Sequence, residues 1–508
     1  MRTLLLLGLL VTTTTACEKK RADVAPESRA REVAVAQTAP EAGSAAAASP
    51  APDGEAYHDY GKNPWVETAK DHLSTFAADV DTASYTIARR KLTEGELPPK
   101  ASVRVEEYVN YFHYTFGAPV GNTPFSVAMD ASESPLQPGR TILRVGVATQ
   151  PVSTAQRRPA HLVFLVDVSG SMDEPDKLPL VKRSLHILTD NLGPNDTVAV
   201  VTYAGQTSLR LPPTGAAHKQ EIFEAIDSLE AAGSTGMASG IDIAYQQAVA
   251  GLSPDAISRV IVCTDGDANV GAHTHDEILD IIQSRAKQGV TLSTIGFGMG
   301  NYKDELMEQL ADKGNGNNYY IDSDAAAQHV FGEQLNATIE VVAKDVKLQV
   351  DFDAAMVARY RLVGYENRDV ADTDFRNDHV DGGQVGPGHQ VTALYELELT
   401  AAGKQANAPL ATLHVRSKSP TGDKSTEAAF PMIGGPVASF DHASADFRFA
   451  FAVAAFADVL RGGQDAEHWS LSQIRTIAAR AAGDNADRTE LVGLIDKAIA
   501  LHGRTAMR

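Results

Sequence analysis

Cysteine is nearly missing. The 508 residues include two, Cys17 and Cys263, too few for a disulfide framework, so the fold must rest on buried apolar cores. Cys263 lies in an apolar strand, where a small buried hydrophobe is the expected role and a nucleophile is not. Basic clusters are missing too. The chain carries 45 Lys and Arg against 65 Asp and Glu, a net charge of −20, and this argues against nucleic acid as a partner. Three catalytic signatures are absent: the Gly-x-Ser-x-Gly elbow, His-Glu-x-x-His and the Walker A loop. At the N-terminus the apolar run Leu4–Val11 is too short to span a bilayer.

What that run does fit is a signal peptide, with Arg2 before it and small residues after it. Residues 14–17, Thr-Thr-Ala-Cys, resemble a bacterial lipobox, in which the cysteine is diacylated and becomes the mature N-terminus. Thr14 departs from the usual Leu, and ordinary cleavage or an uncleaved anchor are the alternatives. The resemblance implies a lipid on Cys17 and a place in the cell envelope. Glu18, in place of Asp, favours the outer membrane facing the periplasm, with the cell surface as the alternative. Residues 18–56 then turn to Ala, Pro, Glu and Ser with almost no aromatics. Such a composition cannot build a core and reads as a disordered tether, able to reach on the order of 100 Å at ~3.3 Å per residue.

The chain is organised around His161–Met172. Leu162–Val166 is the continuous apolar run of a strand buried on both faces of a parallel sheet. It leads into Asp167-Val168-Ser169-Gly170-Ser171, with a carboxylate and two hydroxyls at alternating positions. Loops at the carboxyl ends of parallel strands are where open α/β sheets bind ligands. Oxygen donors with few charges suit a hard divalent cation, Mg²⁺ before Zn²⁺. Around this stretch strands at 161–166, 197–204, 259–264, 291–297 and 318–321 alternate with helices at 178–191, 218–231, 239–251, 275–288, 303–312 and 324–341. That alternation predicts a doubly wound parallel α/β sheet.

The Asp-x-Ser-x-Ser pattern resembles the metal-ion-dependent adhesion site of von Willebrand factor type A domains. Two further segments carry the likeness: Ala232-Gly233-Ser234-Thr235-Gly236 before a helix, and Thr264-Asp265-Gly266 closing a buried strand. The resemblance implies that Asp167, Ser169, Ser171, Thr235 and Asp265 hold Mg²⁺, with Mn²⁺ or Ca²⁺ as alternatives. It also implies one open coordination position for an Asp or Glu of a partner protein. Phrases in the preceding segment, Asp79-Val-Asp-Thr-Ala-Ser-Tyr85, Leu97-Pro-Pro-Lys100 and Val103-Arg-Val-Glu-Glu-Tyr-Val-Asn-Tyr-Phe112, resemble a family of bacterial lipoproteins bearing such a domain. That family also has a C-terminal domain of uncharacterised role.

Strand-like runs flank the α/β region: 125–131 and 141–148 before it, 346–352, 358–365, 390–399 and 411–417 after it. Neither set makes a sandwich alone, so the expectation is one β-sandwich assembled from both flanks with the α/β domain inserted; two independent β modules are the runner-up. The predicted order is a signal peptide at 1–17, the tether at 18–56 and a helical segment at 57–118. Sandwich strands follow at 119–158, the type A domain at 159–343, the remaining sandwich at 344–440 and a helical region at 441–508. Asp79 and Asp81 look like a metal pair, but Asp81 is better read as a helix N-cap or turn. His273 and His275 have metal-like spacing without further partners and read as a solvated loop.

Three functions are compatible with such a site. A binding module needs the metal and a protein partner. A phosphotransferase of the Asp-x-Asp-x-Thr kind would need a general acid where Ser169 stands, so an enzyme is disfavoured, with a metal-dependent phosphatase kept as the alternative. A scaffold with a purely structural metal is the third. An exported protein also has no ATP to use, which removes a role beside an ATPase.

Overall fold

The structure, a computed structural model, describes residues 54–505 except 120, 122, 235, 267–273, 299–301, 406, 438, 464–465 and 467–468. The signal peptide, Cys17, nearly all of the tether, Thr235 and His273 therefore lie outside the described residues.

Ala160–Asp167 is the hub of a six-stranded sheet. It pairs in parallel with Thr197–Tyr203 on one side and with Ile257–Thr264 on the other. Val290–Phe297 and Asn318–Ile321 extend the sheet in parallel beyond Ile257–Thr264. At the other edge Ser208–Gly215 runs antiparallel. Every residue of Ala160–Asp167 is buried, because helices cover both faces, as its unbroken apolar run requires. Leu162, Phe164 and Val166 face a core with Val181, Leu185 and Ile222. Val163 and Leu165 face the opposite core with Ile241, Ala244 and Ile282.

The two flanks do meet in one β-sandwich. Gln390–Leu399, from the far flank, pairs antiparallel with Thr141–Thr149 from the near one; Val357–Val363 lies on the other side of Gln390–Leu399, and Phe125–Glu133 flanks Thr141–Thr149 at the end of the sheet. The facing sheet is built on Ala343–Phe352, paired with Ala411–Lys418, and side chains of both sheets share one core. The links into and out of the α/β domain lie side by side. Asn336 accepts from Arg157 Nε at 3.0 Å and donates to the Val152 carbonyl at 2.9 Å, while Arg158 pairs with Glu340 at 3.1 Å.

Residues 57–118 are not solely helical. Leu73–Ala77 pairs with Ala343–Phe352, and Val66–Glu67 pairs with Val357–Val363. The helix Ala83–Glu94 then bridges two cores. Ala83 and Ile87 pack under the parallel sheet, while Tyr85, Ala88 and Leu92 enter the C-terminal helical core, the two faces that a 3.6-residue repeat provides.

Two further expectations need correction. Asp81 caps nothing: Thr82 holds the N-cap position without a side-chain bond. Asp81 lies one residue too early. Its Oδ1 accepts from the Asn318 amide at 3.0 Å and its Oδ2 from Arg368 at 3.1 Å, with Arg368 also 3.4 Å from Asp79. The two acids are therefore counter-ions of an arginine where the sandwich meets the parallel sheet. The helix expected over 324–341 is broken by a π turn at His329–Glu333, which separates Asp324–Gln328 from Leu335–Ile339.

The C-terminal helices are Ala445–Arg461, Leu471–Ala482 and Ala486–Thr505. Phe447, Phe449, Phe451, Val453 and Phe456 are all buried, because the first helix is sandwiched between its neighbours and the helix Val105–Tyr111. None of the described helices is long and apolar enough to cross a membrane.

Candidate metal centre

Sheet order decides where the site lies. From Ala160–Asp167 the chain moves to a neighbour on one side and later returns to its other side. The carboxyl end of that strand is thus a topological switch point, where a crevice opens. Asp167 ends the strand, and Asp265 follows the adjacent Ile257–Thr264. Both aspartates are 0% exposed.

The loop after Asp167 is held by its own side chain. Oδ1 accepts from the Ser169 amide at 2.9 Å, and Oδ2 accepts from the Thr264 hydroxyl at 3.0 Å. This turn brings Ser169 Oγ within 3.0 Å of Ser171 Oγ. The Gly233 loop is laced to the same turn: Gly170 donates to the Gly233 carbonyl at 3.0 Å and Ala232 to the Val168 carbonyl at 2.7 Å. Gly233 has φ +84°, and a Cβ there would stand 3.3 Å from the Gly205 amide, so a side chain would be strained and crowded. Asp167, Ser169, Ser171 and Asp265 are therefore brought together. Thr235, two residues beyond Gly233, lies outside the described residues.

Electrostatics sharpen the picture. Burial pushes the Asp167 carboxyl up to about 6, opposed by hydrogen bonds from Ser169 and reinforced by the charge of Asp265. Two carboxylates this dry are costly without a cation. The cation present is one the sequence reasoning missed. Lys177, 3% exposed, places Nζ 3.2 Å from Asp265 Oδ2 and 2.9 Å from the Ser171 carbonyl. A signal existed: Lys177 is the N-cap of Leu178–Asp190, where the helix dipole disfavours a positive charge unless an anion answers it. Two carboxylates and two hydroxyls around one spot, with few charges and no thiol or imidazole, fit the preferences of Mg²⁺. Among the described residues no group of three or more His, Cys, Asp or Glu is arranged to hold a metal, so the hydroxyls are indispensable to such a site.

The other candidates stand apart. His275 opens the helix His275–Lys287 and bonds Gln309 at 2.7 Å. Cys263 is fully buried, and burial raises its thiol pKa, which makes it inert as a nucleophile.

Comparison with known proteins finds three family models along the chain. A family model described as von Willebrand factor type A domain matches residues 161–334, and one described as von Willebrand factor matches 51–144. A third, described as uncharacterized protein YfbK, C-terminal, matches 337–501. Uncharacterized protein YfbK of Escherichia coli (strain K12) is 39% identical over 467 residues, covering 87% of this chain and 80% of that protein. The chain belongs to the YfbK family. Within this family of type A domain proteins, the type A match contains all five residues singled out from sequence. A more distant relative, inter-alpha-trypsin inhibitor heavy chain H3 of Homo sapiens, is 28% identical over 180 residues, covering 34% of this chain and 20% of that protein. Among solved structures, von Willebrand factor type A from Catenulispora acidiphila covers 73% of this chain and 88% of its own, at 17% identity and a TM-score of 0.42.

Proposed function

We propose that this YfbK-family protein is a divalent-cation-dependent protein-binding module of the bacterial cell envelope and not an enzyme. The observation that carries this reading is the convergence of Asp167 and Asp265, both fully buried, with the hydroxyls of Ser169 and Ser171. Mg²⁺ is the ion that donor set favours; Mn²⁺ or Ca²⁺ would use the same oxygens. Two carboxylates only balance a divalent ion and the hydroxyls add no charge, so the Lys177 ammonium 3.2 Å from Asp265 leaves the loaded site with a positive excess, and a Glu or Asp from a partner protein is the ligand that completes it. Thr235 would add a third hydroxyl. The lipid on Cys17 and the tether at 18–56 would hold the folded part at a distance from the membrane. Nucleic acid and ATP have no place in this scheme.

The chain's own residues supply positioning. Asp167 fixes the Ser169 amide and Thr264, so that both serine hydroxyls share one side of the loop. The backbone bonds from Gly170 and Ala232 hold the Gly233 loop in register with it. The discriminating experiment is affinity capture with the purified full chain in Mg²⁺ against EDTA, using wild type and Asp167→Ala. Partners retained by wild type in Mg²⁺ and lost in both other conditions support the reading; the same partners in all conditions remove the metal from it. Turnover of a small phosphoester by the protein alone, abolished in Asp167→Ala, would favour the phosphatase instead.

A further inference from the structure

At the end of the parallel sheet opposite Asp167, a cavity of about 570 Å³ lies where Ile257–Thr264 and Val290–Phe297 begin and the sheet meets the sandwich. Its lining carries Arg158, Arg259, Lys287 and Lys344 against one carboxylate, Asp423. On a chain of net charge −20, four cations around one cavity run against the overall composition. Arg158 is paired with Glu340 at 3.1 Å, and Lys344 lies 4.0 Å from the solvent-exposed Asp423.

Arg259 differs from both. It is 1% exposed, yet no described carboxylate forms an ion pair with it. Its Nη1 donates to the neutral Ser293 hydroxyl at 2.7 Å, and its Nε has no acceptor. Burial lowers its pKa to about 10, which still leaves it cationic at neutral pH. Other buried arginines here carry carboxylates: Arg157 holds Asp196 at 2.6 Å and Arg361 holds Glu396 at 2.6 Å. Buried charges are normally paired, and a guanidinium edge matches the oxygens of a phosphate or carboxylate.

We propose that this cavity binds a small phosphate-class oxyanion, anchored by Arg259 with Lys287 and Lys344 supplying further positive charge. A phosphate group carries about −1.5 to −2 charges at neutral pH, which answers several cations better than a lone carboxylate does. The volume falls inside the range of about 300–1,000 Å³ typical of small-molecule sites, so a phosphomonoester is accommodated as well as the free ion. The site is separate from the metal centre and stands or falls without it.

The test is calorimetry on the full chain at constant ionic strength, in EDTA, with inorganic phosphate and with glycerol 3-phosphate. Wild type is expected to bind, and Arg259→Met to lose affinity by about tenfold or more, as for a removed charge-assisted contact. Lys287→Ala with Lys344→Ala, at positions that reach solvent, should weaken binding by a few-fold while leaving the thermal unfolding curve unchanged. Tighter binding of glycerol 3-phosphate assigns an ester as the occupant; binding of phosphate alone assigns the free ion; both support the proposal. No binding of either up to about 10 mM, a range that would still register weak affinity, overturns it. Wild-type affinity in both variants overturns it equally.

Discussion

Replacing Asp167 by Asn should change stability in opposite directions with and without metal. Burial and the nearby Asp265 raise the Asp167 carboxyl from 3.8 to about 6. At 1.36 kcal/mol per pKa unit, that difference is at most about 3 kcal/mol against the ionised form at neutral pH. Because the folded-state value is the higher one, this contribution to stability is fully present below about pH 4 and is lost as pH rises through about 6. Asn keeps the shape and still accepts from the Ser169 amide, while the Thr264 hydroxyl can turn to accept from the new NH₂ group. In EDTA at pH 7.5, Asp167→Asn should therefore be more stable than wild type by about 1–3 kcal/mol, and the gap should close below pH 4. In Mg²⁺ at a hundred times its Kd, wild type gains about 2.7 kcal/mol by mass action and the variant gains little, so the advantage disappears or reverses. Thermal unfolding across pH 4–8, in EDTA and in Mg²⁺, reads all of this. A wild-type midpoint independent of pH in EDTA, with no gain from Asn, would refute the reasoning that two buried carboxylates strain the metal-free site.

Three more outcomes are expected. Lys177→Met should bind Mg²⁺ more tightly, because the ammonium 3.2 Å from Asp265 no longer competes; titration calorimetry checks this, together with a loss of about 3 kcal/mol in metal-free stability. Phe76→Ala, at a 0% exposed position packed on Tyr365, should cost about 3–5 kcal/mol; a loss under about 1 kcal/mol in denaturant unfolding would mean that Leu73–Ala77 is not integral to the sandwich. Cys17→Ser should release the protein from the membrane fraction on cell fractionation, and persistence there would remove the lipid from the account.

Legibility in the sequence followed burial. Leu162–Val166 is apolar at every position because both faces of its sheet are covered, and that signature survives without any structure. Alternating runs such as Ala411–Lys418 were readable for the related reason that one face is buried. The strands missed are short or at edges: Leu73–Ala77 has five residues, and Ser208–Gly215 contains two prolines that only an edge tolerates. Ser425–Pro431 pairs on one side only and is mostly exposed, so it lacks an apolar rhythm. In the site, Asp167, Ser169 and Ser171 were legible because their spacing is local to one strand end, and the resemblance to type A domains pointed to Asp265. Lys177 was not, since its meaning depends on Asp265, 88 residues away. Asp81 misled for the same reason: its partner Arg368 is 287 positions distant, and no local pattern announces such a pairing.

The most direct measurement is calorimetric titration of Mg²⁺ into the full chain and into Asp167→Ala. The account predicts one saturable site in wild type and a steep loss of affinity in the variant, whose apolar core keeps it folded. Equal affinities in the two proteins, or no binding by wild type, would contradict it.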